Sequence, residues 1–200
     1  MTAKPVLDFW FEFASTYSYP AAMRIGALAE AQGITVRWRP FLLGPVFKAQ
    51  GWEDSPFNIY PVKGRYMWRD LERICAALNL PFVKPATFPQ AALVAARVAL
   101  LALSQSWGED FCRAVYAAEF GQGRDIGDPF VVADILNALG QNPGEIIEQA
   151  RTEANKNALR AQTEEAQRLG LFGAPSFVTA DGELFWGNDR LEAALEWARM

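Results

Sequence analysis

Asp8-Phe9-Trp10-Phe11-Glu12-Phe13-Ala14-Ser15-Thr16-Tyr17-Ser18-Tyr19-Pro20 is the stretch on which the fold turns. Residues 6–13 alternate Val/Asp/Trp/Glu against Leu/Phe/Phe/Phe, the period-two pattern of a strand with one fully covered face. Across 17–31, Ala21, Ile25, Leu28 and Ala29 recur at helical spacing, and Gln32-Gly33 ends that helix. Residues 34–39 alternate again and stop at Pro40. A strand, a helix and a second strand with so long a crossover imply parallel strands joined right-handedly. Ser15 then stands where strand gives way to helix. The free N–H groups of a first helical turn, with the helix dipole, favour an anion there. On position alone Ser15 reads equally as a helix cap.

Working outward, the next strand signal is 176–179, and most of what lies between reads as helix. Residues 41–61, rich in Pro, Gly and aromatics, are expected as a long loop with one short helical turn. Helices are expected over 65–78, 90–105, 108–120, 129–139 (capped by Asp128), 143–151 and 152–169. Asp181-Gly182 should fold 176–179 and 183–186 into an antiparallel hairpin, and Asn188-Asp189 should cap a last helix over 190–198. The order β-α-β … α-β-β-α is an α/β, thioredoxin-like topology with a large all-helical insertion. Its boundaries read as 1–40 plus 152–200 for the thioredoxin-like domain and 41–151 for the insertion.

Composition narrows the chemistry. Two hundred residues at 51% hydrophobic content suit one core-bearing domain, or one carrying a large insertion. Net charge is -4 with acids and bases interspersed, so no basic block invites nucleic acid. Met1-Thr2-Ala3-Lys4-Pro5 leads straight into a strand without an apolar signal-peptide core. The long, nearly uncharged stretch 82–106 is broken by Lys84, Arg97 and prolines and reads as a buried helix rather than a membrane span. A soluble, cytoplasmic chain is therefore expected. The absence of histidine removes the commonest general base and zinc ligand. Cys75 and Cys112 lack C-x-x-C spacing and read as buried apolar thiols. No metal site is expected.

Four segments in order carry a resemblance: Phe11-Glu12-Phe13-Ala14-Ser15-Thr16-Tyr17-Ser18-Tyr19, Lys63-Gly64-Arg65-Tyr66-Met67, Phe172-Gly173-Ala174-Pro175 and Gly187-Asn188-Asp189-Arg190. Across essentially its whole length the chain resembles the kappa-class glutathione transferases and their bacterial relatives, the 2-hydroxychromene-2-carboxylate isomerases. The resemblance implies a DsbA-like thioredoxin fold, glutathione as cofactor and a homodimer. It also implies isomerisation of a ring-derived 2-oxo acid in aromatic breakdown, or conjugation of glutathione to electrophiles. Residue by residue it makes Ser15 the catalytic serine, with Thr16 and Tyr17 in the glutathione-contacting turn. Ala174 precedes a cis-proline, Pro175, and can offer its backbone to the cysteinyl part. Asn188 and Asp189 fall where the γ-glutamyl end is held; Asp189 also reads as a plain helix cap. Where the family has a glutathione-contacting Asn, this chain has a different loop, in which Trp52 replaces it or Asn58 reaches in from further along. Lys63, with Arg65 behind it, is the candidate cation for a substrate carboxylate; its bland reading is a solvated surface charge.

A free thiol titrates near 8.5, so glutathione thiolate is a minority at neutral pH unless a site stabilises it. The Ser15 hydroxyl, backed by a helix N-terminus, can do so without titrating itself. A Ser15 acyl nucleophile would need a base that this chain lacks. The expected reaction is reversible addition of the thiolate to a conjugated 2-oxo acid, with rotation before the sulfur leaves. Two other readings stand beside it: a kappa-like transferase or peroxidase acting on other electrophiles, and a non-catalytic thioredoxin-like binding module. Ser15 and Ser18, at the two sulfur positions of a dithiol motif, speak against a DsbA-type oxidoreductase.

Overall fold

The structure, a computed structural model, describes residues 4–200; the reading of Met1 to Ala3 lies outside them. At its centre is β1, Val6–Phe11, in a four-stranded sheet ordered β2-β1-β3-β4. It runs parallel to β2, Thr35–Pro40, and antiparallel to β3, Ser176–Thr179, which pairs antiparallel with β4, Leu184–Trp186. The crossover α1, Ser18–Ala31, joins β1 to β2 as the spacing predicts, and Gly33 beyond its end takes φ +69°. This is the thioredoxin-like α/β order expected from the sequence.

Leu7, Phe9 and Phe11 are fully buried on one face of β1. There Phe9 stacks on Phe177, ring centroids 5.5 Å apart, and meets Trp38 edge-on at 4.9 Å. The other face departs from the expectation of a single covered face. Trp10 is buried too, beneath Phe41, Val46, Ala166, Leu171 and Val178. A strand with neighbours on both edges and helices over both faces has no solvent side, which the alternation alone did not convey. Asp8, left polar on that face, is held bidentately by Arg37 at 2.5 and 2.8 Å.

Between β2 and β3 every regular element is helical among the described residues. In order they are α2 (Leu43–Ala49), α3 (Pro56–Ile59), α4 (Pro61–Ala77), α5 (Leu93–Ala102), α6 (Gly108–Tyr116), α7 (Pro129–Ala138), α8 (Pro143–Ala150) and α9 (Glu153–Arg168). The expected loop over 41–61 thus holds two helices. Ser55 caps α3 by accepting from the Phe57 N–H at 3.3 Å, and proline opens both α3 and α4. The final turn after α6 widens into a π-helix, Ala117–Gly121. Asp128 caps α7 as expected. Asn188 and Asp189 do not cap the last helix: they lie inside a 3-10 turn, Asn188–Arg190, ahead of α10, Leu191–Trp197. The Asn188 amide oxygen instead accepts from Arg24 at 2.9 Å, and Arg24 also pairs with Glu192 at 2.5 Å. One continuous core joins Phe9 and Phe11 of the sheet to Ala95, Ala99, Phe111 and Leu136 of the helices. Cys75 and Cys112 are free and buried within it, and burial pushes the Cys75 thiol up to about 11.

Candidate functional site

β1 ends at Phe11, and the chain then turns tightly before α1. The Ser15 N–H donates to the Glu12 carbonyl at 3.0 Å, and the Ser18 N–H to the Ser15 carbonyl at 3.1 Å. The N–H groups of Thr16 and Tyr17 find no backbone acceptor among the described residues, so the turn offers two donors just ahead of α1. This turn forms the inner end of a cavity of about 510 Å³, within the usual range for small-molecule sites. Aromatic side chains recur around its wall: Phe47, Trp52, Phe57, Phe88, Phe172 and Trp186.

Glycine lets two of these walls close. A Cβ on Gly64 would stand 2.2 Å from the Phe57 carbonyl oxygen, so only glycine allows α4 to lie this close to α3. A Cβ on Gly173 would meet the Trp186 indole nitrogen at 2.5 Å.

Ser15 is buried, and its hydroxyl donates to the Ala174 carbonyl at 2.9 Å, so β1's turn and the chain before β3 are tied across the cavity floor. The Ala174-Pro175 peptide is cis. Thr16 and Tyr17 line the cavity, but their hydroxyls point to α4: Thr16 Oγ1 donates to Met67 Sδ at 3.1 Å and Tyr17 Oη to Asp70 at 3.1 Å. Burial first, then Asp70, pushes the Tyr17 phenol up. Trp52 lines the cavity, whereas Asn58 stays outside, its amide tied to Asp54 and to the Phe88 carbonyl. Lys63 lies at the exposed rim with its ammonium 4.9 Å from the Tyr60 ring; Arg65 does not reach the cavity. Pro175, Asn188 and Asp189 lie outside its wall. Asn188 is engaged by Arg24, and Asp189 is exposed beside Arg190 at 3.3 Å.

The residue that the sequence reading passed over is Glu12. It lines the cavity at the Ser15 turn, keeps only a small exposed area, and burial pushes its carboxyl up to about 8 against a small opposing pull from the Ala14 N–H. Behind it Glu119, on the π-helix, is fully buried with both carboxyl oxygens unpartnered, and burial, then Glu12, pushes it well up. Tyr116 donates to the Glu12 carbonyl at 3.0 Å. The available signal was an acid set between Phe11 and Phe13 next to Ser15. In an alternating strand it reads as a solvent-facing position. Among the described residues no group of His, Cys, Asp and Glu is arranged to hold a metal, and no helix is long and apolar enough to cross a membrane.

The model of the DSBA-like thioredoxin domain matches residues 6–196. A 2-hydroxychromene-2-carboxylate isomerase of Sphingobium xenophagum is 33% identical over 187 residues, 93% of this chain and 94% of that protein. Glutathione S-transferase kappa 1 of Caenorhabditis elegans is 29% identical over 204 residues, covering 95% and 89%. A solved 2-hydroxychromene-2-carboxylate isomerase has a TM-score of 0.83 to this chain at 28% identity, covering 97% of this chain and 94% of that one.

Proposed function

The chain belongs to the DSBA-like thioredoxin domain family, alongside 2-hydroxychromene-2-carboxylate isomerases and kappa-class glutathione transferases, and from that premise we propose that it is a glutathione-dependent isomerase. Its substrate class is an unsaturated aromatic 2-oxo acid of the chromene carboxylate kind. The observation that carries this reading is a partly open, aromatic-lined cavity with the Ser15 turn in its wall. Aromatic walls suit a flat substrate ring.

The sulfur of glutathione sits at the turn, where the Ser15 hydroxyl and the free N–H groups of Thr16 and Tyr17 favour its thiolate. Among the described residues Lys63 supplies the only positive charge on the wall and faces the substrate carboxylate at the rim, against the acids Glu53 and Asp54. Trp52 takes the place of the family's asparagine. Asp189 and Asn188 hold the γ-glutamyl end only if glutathione extends past the cavity along Gly187, whose N–H bonds the Pro175 carbonyl at 2.9 Å. The thiolate adds to the conjugated double bond, the resulting single bond rotates, and sulfur leaves. The protein acts as a homodimer in the cytoplasm.

Calorimetry with glutathione tests the first half, and heat at millimolar ligand is the expected result. An assay on 2-hydroxychromene-2-carboxylate with and without glutathione tests the second; turnover independent of glutathione refutes the mechanism. Ser15→Ala should keep the fold and glutathione binding. Loss of one charge-assisted hydrogen bond, about 1.5–3 kcal/mol, should raise the bound thiol's titration midpoint by about 1–2 pH units. An unchanged thiolate absorbance titration would remove Ser15 from that role.

A further inference from the structure

Thiolate addition leaves negative charge on the substrate's oxo group, and something in the cavity must meet it. The polar side chains near the inner end are mostly committed elsewhere. Thr16 donates to Met67, Tyr17 to Asp70, and Ser55 caps α3. Gln90 bridges the Arg124 carbonyl and the Ile126 N–H. Ser15 has one hydroxyl proton, which the sulfur claims. Glu12 leaves the same turn, its carbonyl fixed by two donors, Ser15 N–H and Tyr116 Oη. Glu12 lines the cavity, and its carboxyl has no salt-bridge partner among the described residues. Behind it stands a π-helix, a distortion that often marks functional sites, carrying the unpartnered Glu119.

We infer that Glu12 is the acid that lends a proton to the substrate's oxo oxygen when sulfur adds and takes it back when sulfur leaves. This rests on the glutathione-dependent reading above. The balance is closed. A sulfur lone pair forms the C–S bond, the π pair of the double bond shifts to make an enolate, and the Glu12 proton moves to the enolate oxygen. After rotation the Glu12 carboxylate removes that proton, the enol's electrons restore the double bond, and the C–S pair returns to sulfur. Nothing is oxidised, and no proton is consumed.

Glu12 suits this role because it stays protonated where the thiol has already ionised. Two neighbouring titratable groups whose environments push them apart divide into acid and nucleophile. The groups around Glu12 are Ser15 and Tyr17 on its own turn, Tyr116 of α6, Glu119 of the π-helix, and Glu53, Asp54 and Lys63 across the cavity. Lys63, the one cation of this set, lies at the exposed rim, so the Ala14 N–H is left to favour the ionised carboxyl, and burial outweighs it.

The experiment measures kcat against pH for wild type, Glu12→Gln and Glu12→Asp on 2-hydroxychromene-2-carboxylate with saturating glutathione. Calorimetry and thiolate absorbance run in parallel. Wild-type kcat should fall above about pH 8. Glu12→Gln should lose about 100-fold or more in kcat and the alkaline limb with it, while glutathione affinity and the thiolate midpoint hold. Glu12→Asp should keep an alkaline limb at a shifted pH, an outcome a packing role would not produce. Wild-type kcat without an alkaline limb, wild-type inactivity with glutathione bound, or a Glu12→Gln profile parallel to wild type overturns the assignment. The first of these needs no variant to fold. A wild type that binds no glutathione takes down the functional reading as well, so the two failures are told apart.

Discussion

Glu12→Gln should make the protein more stable at neutral and alkaline pH, and the size of the gain follows from where its carboxyl sits. Burial lifts that carboxyl from 4.5 to about 8. Below about pH 4.5 folded and unfolded chains both hold the proton, so Glu12 costs nothing there. Between 4.5 and about 8 the unfolded chain releases a proton that the folded chain keeps. Stability therefore falls as pH rises through this window and levels off above it. The full displacement corresponds to about 5 kcal/mol, an upper figure. Relaxation around a carboxyl that meets a cavity leaves about 2–3 kcal/mol. Glutamine fills the same space and cannot ionise. Urea unfolding of both proteins between about pH 5 and about pH 8 gives the comparison. The curves should converge at the acid end, with the variant about 2–3 kcal/mol more stable at the alkaline end. Glu119 is pushed up in part by Glu12, so removing the charge at position 12 also relieves Glu119 and acts in the same direction. Parallel curves across the window would mean that Glu12 ionises freely in the folded protein, and the argument from burial would fail.

Three other outcomes test separate parts of the structure. Gly64→Ala places a Cβ 2.2 Å from the Phe57 carbonyl oxygen, so α3 must move off α4. The expected cost is about 1–3 kcal/mol in thermal or urea unfolding, with weakened ligand binding because Phe57 is cavity wall. Lys63→Ala should raise KM for an anionic substrate, more at low salt than at high, whereas Arg65→Ala should leave KM unchanged; equal effects would show that net charge, not the place of Lys63, sets KM. We propose further that the 41–151 division is topological only, because Ala95, Ala99 and Phe111 share one core with Phe9 and Phe11. The excised segment should give no cooperative unfolding transition by circular dichroism, and a sharp transition would mark an independent domain.

Local alternation made β1, α1, β2 and the closing hairpin legible, since Leu7, Phe9 and Phe11 repeat at the strand period and Asp181-Gly182 marks the turn. What sequence could not display is cover supplied from far along the chain. Trp10 sits in the polar register of β1 yet is buried by Ala166 and Leu171 from around α9. Glu12 sits in that same register, and its neighbours Tyr116 and Glu119 come from far along the chain. The helices over 43–59 were hidden because Pro and Gly read as breakers, while in first-turn positions proline starts helices. Asn188 has a capping side chain by type, but Arg24 claims it. The aromatic wall was visible only as composition, because Phe47, Phe88 and Trp186 belong to three separate segments.

The Ser15 hydroxyl has one proton to give and two lone pairs to offer. With its proton on the Ala174 carbonyl, it has only lone pairs left for the proposed glutathione sulfur, which suits a thiol that still carries hydrogen. Once that hydrogen departs, the rotor must swing, releasing Ala174 and aiming its proton at sulfur. A neutral thiol and its anion are thus greeted by opposite orientations of one bond. In the proposed glutathione complex the strap between residues 15 and 174 loosens as the thiol ionises, and a single torsion carries the charge on sulfur to the far side of the cavity.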